Sequence, residues 1–162
     1  MKVEGLTLDP LTNMPIIILK DLVGGKALPI WVGFFEANAI ALEIEKISTP
    51  RPMTHDLMKN LIFGLKAEVN HILVSELKDN TFYAVISLMC GGSTFNIDSR
   101  PSDAIALALR VKAPIFVDEK VIDAAKSLDV PAQDGEKEKT IDEKRQWKDW
   151  FDHIKPQDFG RL

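Results

Sequence analysis

The tetrapeptide Ala-Ile-Ala-Leu occurs at 39–42 and again at 104–107, 65 positions further on. At the same offset Leu8 falls on Leu73, Ile30 on Phe95 and Val32 on Ile97, so strand-like apolar runs and an alanine-rich helix recur in one order. Self-similarity at a fixed interval means one supersecondary unit used twice, because each copy needs the other to cover its apolar face. The unit reads as three strands followed by helices, an internal duplication with halves at residues 1–66 and 67–130.

In the first copy, residues 2–8 and 15–22 are rich in Val, Leu and Ile and flank Asp9-Pro10-Leu11-Thr12-Asn13, a hairpin pattern. Gly24-Gly25-Lys26 turns the chain into Leu28–Val32, where Pro29 suits an edge strand because it has no N–H for a ladder. From Gly33 to Ser48 the period becomes helical, with Ala37, Ile40, Ala41, Ile44 and Ile47 on one face. Pro50 and Pro52 end that helix, and Thr54 is expected to cap a second one running through Leu57, Leu61, Phe63 and Leu65. The second copy places strands at Ile72–Leu77, Phe82–Met89 and Thr94–Asp98 and a helix at Pro101–Val111. Ile115–Val117 and Val121–Leu128 follow as a strand and a short helix. Residues 131–162 read as a charged linker and a C-terminal amphipathic helix, opened by Thr140 and Glu143 in a capping-box spacing and carrying Trp147 and Trp150.

A chain of 162 residues, 46% hydrophobic and 27% charged, fits one compact domain with an appended segment. Its core closes without disulfides, and Cys90, the sole cysteine, reads as a small core residue. No apolar run approaches the ~20 residues of a membrane span, so the expectation is a cytoplasmic protein with no membrane partner. The net charge of −4 opposes binding of nucleic acid by bulk charge, so a polyanion would bind weakly and through a local basic patch. P-loop, dinucleotide-binding, zincin and nucleophile-elbow motifs are all missing, which removes the support for those four chemistries.

Polar groups concentrate at two helix starts, Arg51-Pro52-Met53-Thr54-His55-Asp56 and Asp98-Ser99-Arg100-Pro101-Ser102-Asp103. Each sets a cation, a stiffening proline, hydroxyls and a carboxylate beside unpaired backbone N–H groups. Such a set can hold a phosphate or orient a water, or it can simply cap the helix with the arginine paired to the acid. At offset 65 Gly33 faces Asp98, Phe35 faces Arg100 and Asn38 faces Asp103, so the second copy is polar where the first is not. That asymmetry favours function for the second copy. Arg51, Arg100 and Ser102 are the candidate phosphate contacts; His55, Asp56, Asp98 and Asp103 are the candidate catalytic groups, with His55 moving a proton. Asp98, Asp103, Asp56 and Glu36 are the carboxylates that would hold Mg²⁺ or Mn²⁺ if folding gathers them.

Leu28-Pro29-Ile30-Trp31-Val32-Gly33, Arg51-Pro52-Met53-Thr54-His55-Asp56-Leu57, Leu77-Lys78-Asp79-Asn80-Thr81-Phe82-Tyr83-Ala84 and the run from Asp98 to Leu107 resemble the bifunctional nuclease domain. The resemblance covers residues 1–130 and rests on several separated motifs in order. It implies an α+β fold in which two related β-β-β-α halves share one curved, barrel-like mixed sheet with helices packed on it. It also implies a nuclease acting on both DNA and RNA. Two readings stand beside that one: a non-catalytic module that binds an anion or nucleic acid, and an interaction protein working through the Trp147/Trp150 helix. Edge strands and that helix both offer surfaces for a homodimer.

Overall fold

The computed structural model describes residues 1–23 and 25–126. The linker and Trp147/Trp150 helix expected at 131–162 lie outside the described residues. The chain runs β1 (Lys2–Leu8), β2 (Pro15–Lys20), β3 (Ala27–Trp31), α1 (Phe34–Ile44), α2 (Thr54–Gly64), β4 (Ala67–Lys78), β5 (Thr81–Cys90), β6 (Ser93–Ser99), α3 (Pro101–Val111), β7 (Ile115–Val117) and α4 (Glu119–Lys126). The class is α+β.

The strands form two sheets among the described residues, not the single barrel-like sheet expected. One is antiparallel with order β1-β2-β3; the other has order β6-β5-β4-β7, with β7 parallel to β4. A single hydrogen bond from the Met1 amino group to the Ile115 carbonyl, 2.6 Å, links the start of β1 to β7. At the opposite ends β3 and β6 are edges that do not pair with each other. Pro29 removes a donor from β3, and the helix starts that follow β3 and β6 meet through side chains instead. Both halves show three strands then a helix, but β7 and α4 have no counterpart after α2.

Hairpin chemistry sets the second sheet. Asp79 and Asn80 take φ of 49° and 57° between β4 and β5, and Gly91 and Gly92 take 57° and 80° between β5 and β6. Two successive positive φ values match the right-handed twist of the flanking strands. β4 begins at Ala67, five residues before the strand expected from Ile72, because β5 is long enough to pair back to Ala67 through Cys90. Cys90 is half-buried rather than a core residue, with its Sγ 3.7 Å from the Leu65 carbonyl.

Ile17, Leu19, Leu28, Ile30, Ile72, Val74, Ile105 and Leu107 fill the core and are all at most 2% exposed. Burying each such side chain contributes about 1.5–3 kcal/mol. Ala37 and Ala41 on α1 and Ala104 and Ala108 on α3 are buried as well, and their small side chains let the two helices lie close together. α1 ends at Ile44 rather than continuing to Ser48, because Lys46 turns left-handed (φ 55°) and the Ile47 amide bonds back to the Leu42 carbonyl. On α2, Leu57, Leu61, Phe63 and Leu65 face outward, while Met58 and Ile62 pack on the core. Two polar side chains of its first turn, His55 and Asp56, fix that rotation by bonding to α3.

Candidate active site

The site forms where α1 and α3 begin. α1 is preceded by Gly33 at its N-cap and carries Glu36 at the third helical position; α3 is preceded by Arg100 and carries Asp103 at the same position. The helix starts therefore correspond at an offset of 67, not the 65 of the tetrapeptide, so Gly33 is opposite Arg100 and Glu36 opposite Asp103. Counted from the N-caps, Gly33 does not coincide with Asp98, Phe35 with Arg100 or Asn38 with Asp103, and both helices are acidic in their first turn. Acids in a first helical turn are favoured by the helix dipole, and here they also share one cation.

Arg100 donates from Nε to Asp103 Oδ2 (2.8 Å), from Nη2 to Asp103 Oδ1 (3.3 Å) and from Nη1 to Glu36 Oε1 (2.8 Å). Three of its five N–H groups are used among the described residues, and the side chain is 65% exposed, which leaves two to meet a ligand. The hydrogen bonds it donates to Asp103 and Glu36 raise its already high pKa and keep it protonated. Glu36 Oε2 has no hydrogen-bond donor among the described residues. It lies where a side chain at position 33 would stand: a Cβ built on Gly33 would be 2.2 Å from that oxygen. The N-cap φ of −70° suits any residue, so what glycine permits here is this position of the Glu36 carboxylate, which a side chain at 33 would displace.

His55 comes from the first turn of α2, is 7% exposed, and its Nε2 is 3.0 Å from Asp103 Oδ1. Asp103 is thus held from both sides. Partial burial pushes its carboxyl upward, but the hydrogen bonds and charges of Arg100 and His55 outweigh that and hold it below the usual carboxylate range.

Asp56, one residue along, goes elsewhere. Arg110 Nε donates to Asp56 Oδ1 at 2.6 Å, while the Met53 amide donates to Oδ2 at 3.0 Å. Arg110, whose side chain is 4% exposed, also donates to the Ala106 and Ala39 carbonyls, each at 3.0 Å. One guanidinium therefore ties together α1, α2 and α3. Burial again pushes Asp56 up, and Arg110 and the Met53 amide together bring it below the ordinary value. Sequence reasoning missed Arg110; its signal was a lone arginine inside Ala108-Leu109-Arg110-Val111, where nothing else carries charge. Met53, not Thr54, occupies the N-cap, and Asp56 reaches back to its amide.

Ser102 is 6% exposed and lines, with Arg100, Glu36, Trp31 and Phe82, a cavity of about 610 Å³. Arg51 lines a different cavity of about 310 Å³ beside Asp56, Asn60 and Arg110, so the two candidate phosphate contacts are separated. Asp98 is exposed on β6 opposite Val85 and makes no bond to the array. The carboxylates named as cation ligands are therefore divided: Glu36 and Asp103 embrace Arg100, Asp56 embraces Arg110, and Asp98 stands apart. Among the described residues no three His, Cys, Asp or Glu side chains are gathered, and the two candidate carboxylates that do meet, Glu36 and Asp103, are both bonded to Arg100. No described helix is long and apolar enough to cross a membrane.

The residues brought together, Glu36, His55, Arg100 and Asp103, lie within the stretch 17–129 that the family model of the bifunctional nuclease domain matches. A Mycobacterium tuberculosis H37Rv protein of uncharacterised function is 36% identical over 162 residues, 98% of this chain and 96% of that protein. Bifunctional nuclease 1 of Arabidopsis thaliana is 30% identical over 134 residues, 75% of this chain but 41% of the plant protein. Bifunctional nuclease 2 of the same plant is 30% identical over 132 residues, 74% of this chain and 40% of its own length. With the domain pattern running through both halves and across the converging helix starts, the chain belongs to the bifunctional nuclease domain family.

Proposed function

We propose that the chain is a nuclease that hydrolyses phosphodiester bonds in both DNA and RNA, at the Glu36–Arg100–Asp103–His55 array. The observation that carries the reading is the convergence of two helix starts on one exposed guanidinium at the mouth of the larger cavity. The two free N–H groups of Arg100 bind non-bridging phosphate oxygens and offset the charge that builds on them. Glu36 Oε2 takes the proton of an attacking water, whose oxygen forms the new bond to phosphorus as the bond to the leaving oxygen breaks; the leaving oxygen is protonated by solvent. His55 is buried and bonded to Asp103, so it acts as a positioning residue, and Asp56 belongs to the frame. The names of the plant relatives support the reaction class. The same reading takes a cytoplasmic setting and weak, salt-sensitive binding, in line with the net charge of −4.

The test is cleavage of labelled single-stranded DNA and RNA with Mg²⁺, Mn²⁺ or EDTA, beside Arg100→Ala and Asp103→Asn prepared identically. Cleavage by the wild type that falls at least a hundredfold in both variants is the expected result. Cleavage equal in all three preparations, or none in the wild type, removes the proposal.

A further inference from the structure

We infer that the large cavity takes a single unstacked nucleotide, its base laid against Trp31 and its phosphate on Arg100, so that the protein selects single-stranded over duplex nucleic acid. This rests on the reading of Arg100 as a phosphate contact.

Trp31 ends β3, an edge strand, and remains 38% exposed although an indole has much to gain from burial. Its orientation is not left free: Nε1 donates to Asp9 Oδ2 at 3.0 Å, and Asp9 sits in the turn joining β1 to β2. The ring plane is thus set by the first sheet before any ligand arrives, as a stacking platform requires. Phe82, at the start of β5, lines the same cavity, which at about 610 Å³ holds a nucleotide and has Arg100, Glu36 and Ser102 on its polar side.

An aromatic surface beside a partly free guanidinium matches the two parts of a nucleotide. In a duplex each base face is already covered by its neighbours, so Trp31 can be reached only by a base outside a stack. Stacking and phosphate contact use nothing that distinguishes ribose from deoxyribose, so one platform serves RNA and DNA alike.

The experiment measures binding, not turnover. Fluorescence anisotropy of a labelled 12-mer is followed with the full chain in EDTA at low, fixed salt, using the single strand, the same 12-mer in duplex, and a 12-mer of abasic units. Wild type is expected to bind the single strand at least tenfold tighter than the duplex or the abasic strand. Trp31→Ala should bind the normal and abasic strands equally, and Trp31→Phe should keep most of the discrimination, each with a thermal melt to confirm the fold. Equal binding of the three ligands by wild type, discrimination that survives Trp31→Ala, or no binding at all would overturn the inference. Base-dependent binding without cleavage would remove the nuclease reading and leave the platform; cleavage without base-dependent binding would do the reverse.

Discussion

Replacing Asp56 by alanine separates a framework role from a catalytic one. The substitution leaves the Arg110 guanidinium, 4% exposed, with two carbonyl partners and no counter-charge. Breaking a fully buried ion pair costs about 3–5 kcal/mol. Asp56 is itself one-third exposed and Arg110 keeps the Ala39 and Ala106 carbonyls, so the electrostatic loss here is about 2 kcal/mol. The Met53 amide loses its acceptor as well, for about 1 kcal/mol more. A total near 3 kcal/mol lowers the melting temperature of a chain this size by roughly 6–12 °C. Urea and thermal unfolding of Asp56→Ala, Arg110→Met and the double variant measure it, and the double variant should be at least ~1 kcal/mol more stable than the sum of the singles implies. Asp56→Ala that melts with the wild type yet no longer cleaves would refute the assignment and return Asp56 to the chemistry.

Four further outcomes are expected. Gly33→Ala should displace the Glu36 carboxylate while changing stability by less than about 1 kcal/mol, so cleavage should fall at least tenfold and match Glu36→Gln; a fully active Gly33→Ala would count against Glu36. His55→Phe should reduce cleavage by about 10- to 100-fold by freeing Asp103, with part returned by His55→Gln, which keeps a donor. Asp56 and Asp103 both have lowered folded pKa values, so their stabilisation is fully present above the ordinary carboxylate value of 3.8 and is lost as pH falls below it through the lower folded values; urea midpoints between about pH 2 and 5 should fall less steeply for Asp56→Asn, and parallel curves would contradict this. Leu61→Lys, on the outward side of α2, should leave unfolding within about 0.5 kcal/mol of wild type, whereas Ile62→Lys should be strongly destabilising.

The elements were largely legible because their signals are local. The helix expected at Pro101–Val111 and the strand at Ile115–Val117 are found at those bounds, and Pro29 lies on an edge strand as its missing N–H requires. The division into two sheets was not legible, because it depends on β3 and β6 not pairing and on β1 and β7 sharing a hydrogen bond but no ladder, and no local pattern encodes which edges pair. The site was half legible. Arg100 and Asp103, three residues apart, could be paired on paper, but Glu36 is 64 residues from Arg100 and His55 is 48 from Asp103. Identical-looking motifs also diverged: Arg51 and Arg100 both precede a proline, yet they line different cavities. The tetrapeptide recurs at an offset of 65, whereas the N-caps of α1 and α3 are 67 apart, so the repeat did not line up the residues that begin each helix.

Glu36 belongs to the first half of the chain, Arg100 and Asp103 to the second, and His55 to the helix that bridges them. No segment of sequence owns the array. Its effective concentration is set by how firmly α1 and α3 stay docked, an equilibrium that local opening can shift well before the sheets unfold. Activity is therefore expected to fade on warming ahead of the loss of β-structure, making turnover a more sensitive thermometer of the seam between the halves than any probe of secondary structure.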